Sequence, residues 1–137
     1  MTYLLDTNVC IALINQRLPG LRRRFERARS GDSEILVSAV AAFELWYGVE
    51  KSTRPQANMK LVETFFAGPV GILPFDHEDA RSAGRIRASL QTAGTPIGPY
   101  DVLIAGQAVR RNLTLVTANA REFGRIQGLA WEDWSKS

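Results

Sequence analysis

The stretch Thr2-Tyr3-Leu4-Leu5-Asp6-Thr7-Asn8 decides how the rest of the chain is read. Thr2–Leu5 has the short, apolar character of a buried strand, and Asp6 cuts the run off. Asn8–Gln16 then takes up a helical period. The same change of period recurs along the chain. Glu34–Val37, Val70–Pro74, Leu113–Thr117 and Leu129–Trp131 are further strand candidates. Between them lie helical patterns at Leu21–Arg29, Ala39–Glu50, Asn58–Ala67 and Tyr100–Arg111, and a long helix that Asp76 and Asp79 open and that runs to about Gln91. Ser38 is placed to cap the helix after strand two, and Pro99 suits the first turn of the helix at Tyr100. Short strands alternating with helices predict a mainly parallel sheet of about five strands in an α/β/α sandwich.

At 137 residues the chain has room for one domain with an ordinary core, expected to span residues 1–137. Its 45% hydrophobic and 23% charged content is that of a globular protein. The net charge of +3 is compatible with an anionic partner without demanding one. One cysteine, Cys10, excludes an internal disulfide and fits a reducing compartment. No apolar run approaches the roughly 20 residues of a membrane span, and the opening Tyr3-Leu4-Leu5 is too short for a secretion signal. A soluble, cytoplasmic chain is the expectation.

The acids fall in a pattern. Ligands of open parallel sheets bind at the carboxyl ends of the strands, and Asp6 immediately follows strand one. Glu44 interrupts the apolar helix that leaves strand two, and Asp101 opens the helix that feeds strand four. Asn119 follows strand four. All four therefore converge on one edge. Two carboxylates about 4 Å apart repel by roughly 4 kcal/mol at an effective dielectric of about 20. An ordinary hydrogen bond returns only about 1 kcal/mol, so such a cluster calls for a cation. All-oxygen donors without His or Cys favour Mg²⁺ or Mn²⁺ over zinc. Taken singly, each acid also has a plainer reading: Asp6 as a helix cap, Glu44 as the partner of an arginine, Asp101 as a helix-start residue.

Leu4-Leu5-Asp6-Thr7-Asn8, Ser38-Ala39 with Glu44-Leu45 and Tyr47-Gly48, Gly94 to Asp101 with Ile104-Ala105, and Leu115-Val116-Thr117 with Asn119 and Arg121-Glu122-Phe123 together resemble the PIN-domain toxins of VapC type. The similarity runs on to Glu132-Asp133-Trp134. It implies a Rossmann-like PIN fold and an Mg²⁺- or Mn²⁺-dependent endoribonuclease, the toxin of a toxin–antitoxin module. It also implies an RNA substrate, a cognate VapB-type antitoxin, a homodimer, and a larger complex that meets DNA through the antitoxin. By position, Asp6 and Asp101 would be the main metal ligands, with Glu44 completing the acidic centre directly or through water. Thr7, Asn8 and Ser38 would hold Asp6 and the water network. Asn119 stands where many members of the family carry a fourth acid, which removes one negative charge and favours a single well-held ion.

Two rivals stand beside this reading. A phosphatase of haloacid dehalogenase type wants a second Asp two residues after the first, and Asn8 occupies that place. A degenerate PIN module would bind RNA or a protein without cutting; Asn119 is its one support. Arg22, Arg23, Arg24, Arg27 and Arg29, with Arg110, Arg111, Arg121 and Arg125, are candidates for holding RNA phosphates, or else a solvated face. Trp46, Tyr47, Phe65 and Phe66 are read mainly as packing residues, or else as part of a dimer or antitoxin groove, His77 as a surface residue and Cys10 as a small buried hydrophobe.

Overall fold

The structure, a computed structural model, describes residues 1–136. Five strands, β1 (Thr2–Leu5), β2 (Glu34–Ser38), β3 (Gly71–Leu73), β4 (Thr114–Val116) and β5 (Ala130–Glu132), form one sheet in the order β3-β2-β1-β4-β5. Every neighbouring pair is parallel. β1 lies at the centre, with Leu4 opposite Leu36 on one side and Leu115 on the other. Leu4, Leu5, Val37, Leu115 and Val116 are buried. Strands covered on both faces carry continuous apolar runs, which is why Tyr3-Leu4-Leu5 shows no alternation.

Helices α1 (Thr7–Ile14), α2 (Pro19–Ser30), α3 (Ala39–Lys51), α4 (Pro55–Ala67), α5 (His77–Thr92), α6 (Pro99–Arg110) and α7 (Ala120–Phe123) fill the connections. The α/β/α expectation therefore holds, with two helices between β3 and β4. α2 and α4 start earlier than their apolar pattern shows, because Pro19 and Pro55 sit in their first turns, where a missing N–H costs nothing. The apolar stripe Leu21, Phe25 and Ala28 of α2 is buried as its spacing implies. α7 and the short 3₁₀ turn Trp134–Lys136 have no counterpart in the sequence reading; neither is long enough to show a period. Among the described residues, no helix is long and apolar enough to cross a membrane.

α5 and α6 are fastened together in two ways. A Cβ on Gly106 would come within 2.7 Å of the Ala83 backbone, so only glycine permits this approach. At the start of α5, Asp76 and Asp79 form a reciprocal capping box, each carboxylate accepting from the other's backbone N–H at 2.9 and 3.0 Å. Arg110 Nη1 donates to Asp79 Oδ1 at 2.9 Å, and Arg111 Nη2 to Asp79 Oδ2 at 3.1 Å. Gln107 Nε2 donates to the same carboxylate at 3.2 Å. Burial alone would raise the Asp79 pKa, but the hydrogen bonds from Arg111, the Asp76 backbone, Arg110 and Gln107 outweigh it and hold the carboxyl well below the usual range. This corrects the reading of Arg110 and Arg111 as phosphate contacts: both are spent on Asp79 and Asp76.

Two outcomes follow for stability. Gly106→Ala should destabilise by about 1–3 kcal/mol in denaturant unfolding, since the α5 backbone must move. Asp79→Asn should cost about 3 kcal/mol at neutral pH, because it strips a buried carboxylate from two cations. A depressed pKa contributes stability above the ordinary carboxylate value. The gap between wild type and Asp79→Asn should therefore be full above about pH 4 and close as the pH falls below it.

Candidate metal centre

The chain runs β1, β2, β3 in one direction across the sheet and then returns to place β4 and β5 on the other side of β1. The carboxyl ends of β1 and β4 thus flank the point where the strand order reverses, the place where open α/β sheets bind ligands. Asp6 lies there. Its N–H donates to Val116 O of β4 at 3.0 Å, continuing the ladder by one residue past β1. Its Oδ1 accepts from Val9 N at 2.7 Å and caps α1. The plainer reading of Asp6 is therefore correct as far as it goes. One oxygen caps a helix, Thr117 also hydrogen-bonds the carboxyl, and the residue is only 3% exposed.

The other acids arrive from helices. Glu44 sits in the second turn of α3, where Thr7 Oγ1 donates to its Oε1 at 2.6 Å. Asp101 lies in the first turn of α6, behind Pro99. Gly98 leaves the space its carboxylate uses: a Cβ there would stand 3.3 Å from Asp101 Oδ2. Burial and then the charges of Asp6, Glu122 and Glu44 push the Asp101 carboxyl up to about 6. Burial likewise raises Asp6; Thr117 and the Val9 amide favour its charged form, while Glu44 and Asp133 oppose it. The three predicted acids are thus brought within one another's field. No cation among the described side chains offsets either shift, in contrast to Asp79.

The other predicted residues hold neighbours of their own. Thr7 holds Glu44 rather than Asp6. Ser38 accepts from Val40 N at 3.0 Å and fixes the start of the helix that carries Glu44. Asn8 is exposed and lines a side cavity. Asn119 caps α7, its Oδ1 accepting from Glu122 N at 3.4 Å, while its own N–H donates to Thr117 Oγ1 at 2.9 Å. Thr117, Glu122 and Asp133 were missed as members of the site. The rule that selected Asp6 and Asn119, polar residues just past a strand, also selects Thr117 after β4 and Asp133 after β5. Cys10 is buried, and burial, with the nearby Asp6 charge, pushes its thiol up, so it stays protonated.

The donor set is hard and all-oxygen, which suits a divalent cation that retains much of its hydration. Among the described residues, no three acidic, histidine or cysteine side chains close on a point as a complete ligand shell. A divalent cation held here would draw its remaining ligands from water.

The PIN domain family matches residues 3–129. The tRNA(fMet)-specific endonuclease VapC of Salmonella typhimurium is 42% identical over 134 residues, covering 98% of each chain. Among solved structures, VapBC2 from Rickettsia felis, bound to a DNA fragment from their promoter, superposes with a TM-score of 0.91 at 34% identity, over 98% of this chain and 99% of that one. DNA-bound VapBC from Salmonella typhimurium gives a TM-score of 0.88 at 42% identity, over 98% of each.

A raised folded-state pKa means that ionising Asp101 destabilises the folded protein. The penalty is absent below about pH 4, sets in between about 4 and 6, and is full above that. In chelator at pH 7.5, Asp101→Asn should therefore melt higher than wild type, by on the order of 4 °C for each kcal/mol of relieved repulsion. The gain should vanish at pH 4. Added Mn²⁺ should raise the melting temperature of wild type and leave that of Asp101→Asn nearly unchanged. A variant that melts lower in chelator would show that the acids do not strain one another.

Proposed function

The chain belongs to the PIN-domain family, and from that premise we propose that it is a divalent-metal-dependent endoribonuclease, the toxin of a VapBC-type module acting in the cytoplasm. The observation that carries this reading is the convergence of Asp6, Glu44 and Asp101 on the switch-point edge, with Asp6 and Asp101 raised and no basic side chain among the described residues to neutralise them. Asp6 and Asp101 would hold the ion, Mg²⁺ or Mn²⁺, and Glu44 would join directly or through water. When bound, that ion supplies a counter-charge for the phosphodiester and makes water more acidic.

The protein's own residues do the positioning. The Val9 amide turns one Asp6 oxygen toward α1, leaving the other for the site. Thr7 fixes the Glu44 carboxylate by a short hydrogen bond, and Ser38 fixes the helix beneath it. Asn119 keeps the family's fourth acidic position neutral, so the site has charge for one tightly held ion. The Thr7 hydroxyl is engaged by Glu44 and Thr117 by Asp6, in keeping with attack by water rather than by a side chain.

A groove of ≈ 280 Å³ between α1, α3 and α4, walled by Ile11, Ile14, Leu45 and Leu61, has Glu44 at its edge. The apolar side of an antitoxin segment would lie in it, with a basic residue reaching the acids. Such complexes are what the Rickettsia and Salmonella structures are named for. A homodimer belongs to the same reading, with Phe43, Tyr47 and Tyr100 the exposed aromatic side chains available to it.

Purified protein incubated with total tRNA and Mg²⁺ should cut a discrete site, with tRNA(fMet) the first substrate to try given the relative named for it. Asp6→Asn and Asp101→Asn should abolish cutting, and Glu44→Gln should reduce it about 10- to 100-fold. Full activity in both aspartate variants would overturn the assignment. Calorimetry with Mn²⁺ separates the degenerate-module alternative, which would take up little metal and leave every RNA intact.

A further inference from the structure

We propose that a second cavity, between α1, the turn from α1 to α2 and the chain just past β5, receives one nucleobase of the RNA beside the bond being cut, with Arg17 as its main polar contact. This rests on the ribonuclease reading above. The cavity measures ≈ 360 Å³, within the range of small-molecule pockets. Val9, Ala12, Leu18 and Leu21 give it apolar walls, and Asn8, Arg17 and Asp133 give it polar groups.

Three observations point to a base. The first is position. Asn8 comes two residues after Asp6, Ala118 lies between Thr117 and Asn119, and Asp133 follows β5, so one end of the cavity lies at the strand edge that carries the acids, while Arg17 and Leu18 line its other end, past the C-terminus of α1. It lies on the other side of α1 from the groove walled by Ile11 and Ile14.

The second is the chemistry of the polar groups. The Arg17 side chain lines the cavity and has no hydrogen-bond or ion-pair partner among the described residues, so its guanidinium is available to a ligand there. Asp133 Oδ1 is taken up by the N–H and hydroxyl of Ser135, which leaves its other oxygen as an acceptor. A phosphate would meet that carboxylate unfavourably and find apolar walls. A flat, neutral base with both donors and acceptors on its edge fits the whole lining.

The third is the backbone. Gln16 and Leu18, on either side of Arg17, both adopt positive φ, at 55° and 58°, and Arg17 N donates to Ala12 O at 2.9 Å. Two non-glycine residues held in the left-handed region are costly, and such strain gathers at ligand sites. Here they set the path of the turn that brings Arg17 and Leu18 to the cavity wall.

The test uses binding, so that it does not depend on cleavage. A synthetic fragment of tRNA(fMet) carrying single abasic sites is titrated in chelator against Asp101→Asn protein, with fluorescence anisotropy as the readout. One abasic position should weaken binding about ten-fold. Asp101→Asn combined with Arg17→Ala should lose about the same on the intact fragment, and the abasic site should then add less than two-fold. Arg17 is exposed, so a melting curve matching that of Asp101→Asn alone is expected. An Arg17→Ala variant with unchanged affinity overturns the proposal. So does an abasic penalty that persists in full without Arg17, because the arginine would then be reading the backbone. If wild type cuts RNA but no abasic site matters, the base pocket falls and the ribonuclease reading stands. If wild type neither cuts nor binds RNA, both fall.

Discussion

β1 is hydrogen-bonded to β2 on one side and to β4 on the other, and its ladder with β4 continues one residue further, through the Asp6 N–H. That single extra bond anchors the backbone of the acid on which the candidate site is built. With the main chain held by the sheet and one oxygen held by α1, Asp6 has little freedom to turn away from its neighbours. Its burial follows from the same arrangement. A carboxylate on a flexible surface loop would relax toward water; this one must share its surroundings with Glu44 and Asp101.

The molecule contains a second buried aspartate that shows what those surroundings lack. Asp79 is as enclosed as Asp6, yet its pKa is lowered, because two guanidinium groups and a capping backbone N–H reach it. Charge-assisted hydrogen bonds contribute about 1.5–3 kcal/mol each, enough to reverse the penalty of burial. Asp6 and Asp101 receive neutral donors or none, and their nearest charges are negative. The same residue type thus serves opposite ends. Asp79 is satisfied within the protein and ties α5 to α6. The acids at the switch point have no such cationic partner among the described residues.

Much of the fold was legible in the sequence. Five strands and six helices fall close to where periodicity and breakers place them, because each is long enough to show a pattern or is marked by a proline or an N-cap. Boundaries moved where local chemistry acted without a pattern, as at Pro19 and Pro55. α7 was missed because four residues show no period. Asp6, Glu44 and Asp101 could be singled out because strand ends, helix starts and an acid within an apolar run are all visible in one dimension.

The sequence by itself therefore determined the alternation of elements, the edge on which polar residues gather and the family resemblance, since these depend on local order along the chain. Tertiary structure alone decided which partners each charge meets. Arg110 and Arg111 could be read as phosphate contacts until α5 brought Asp79 against them, and Thr7 was assigned to Asp6 until α3 presented Glu44. Glu122 and Asp133 joined the acidic field, and Arg17 was left unpaired beside a cavity. Electrostatic energy falls with distance in space and is indifferent to separation in sequence, so Asp6, in the stretch that decides the fold, meets the charges of Glu44 and Asp101 only once the chain has folded around it.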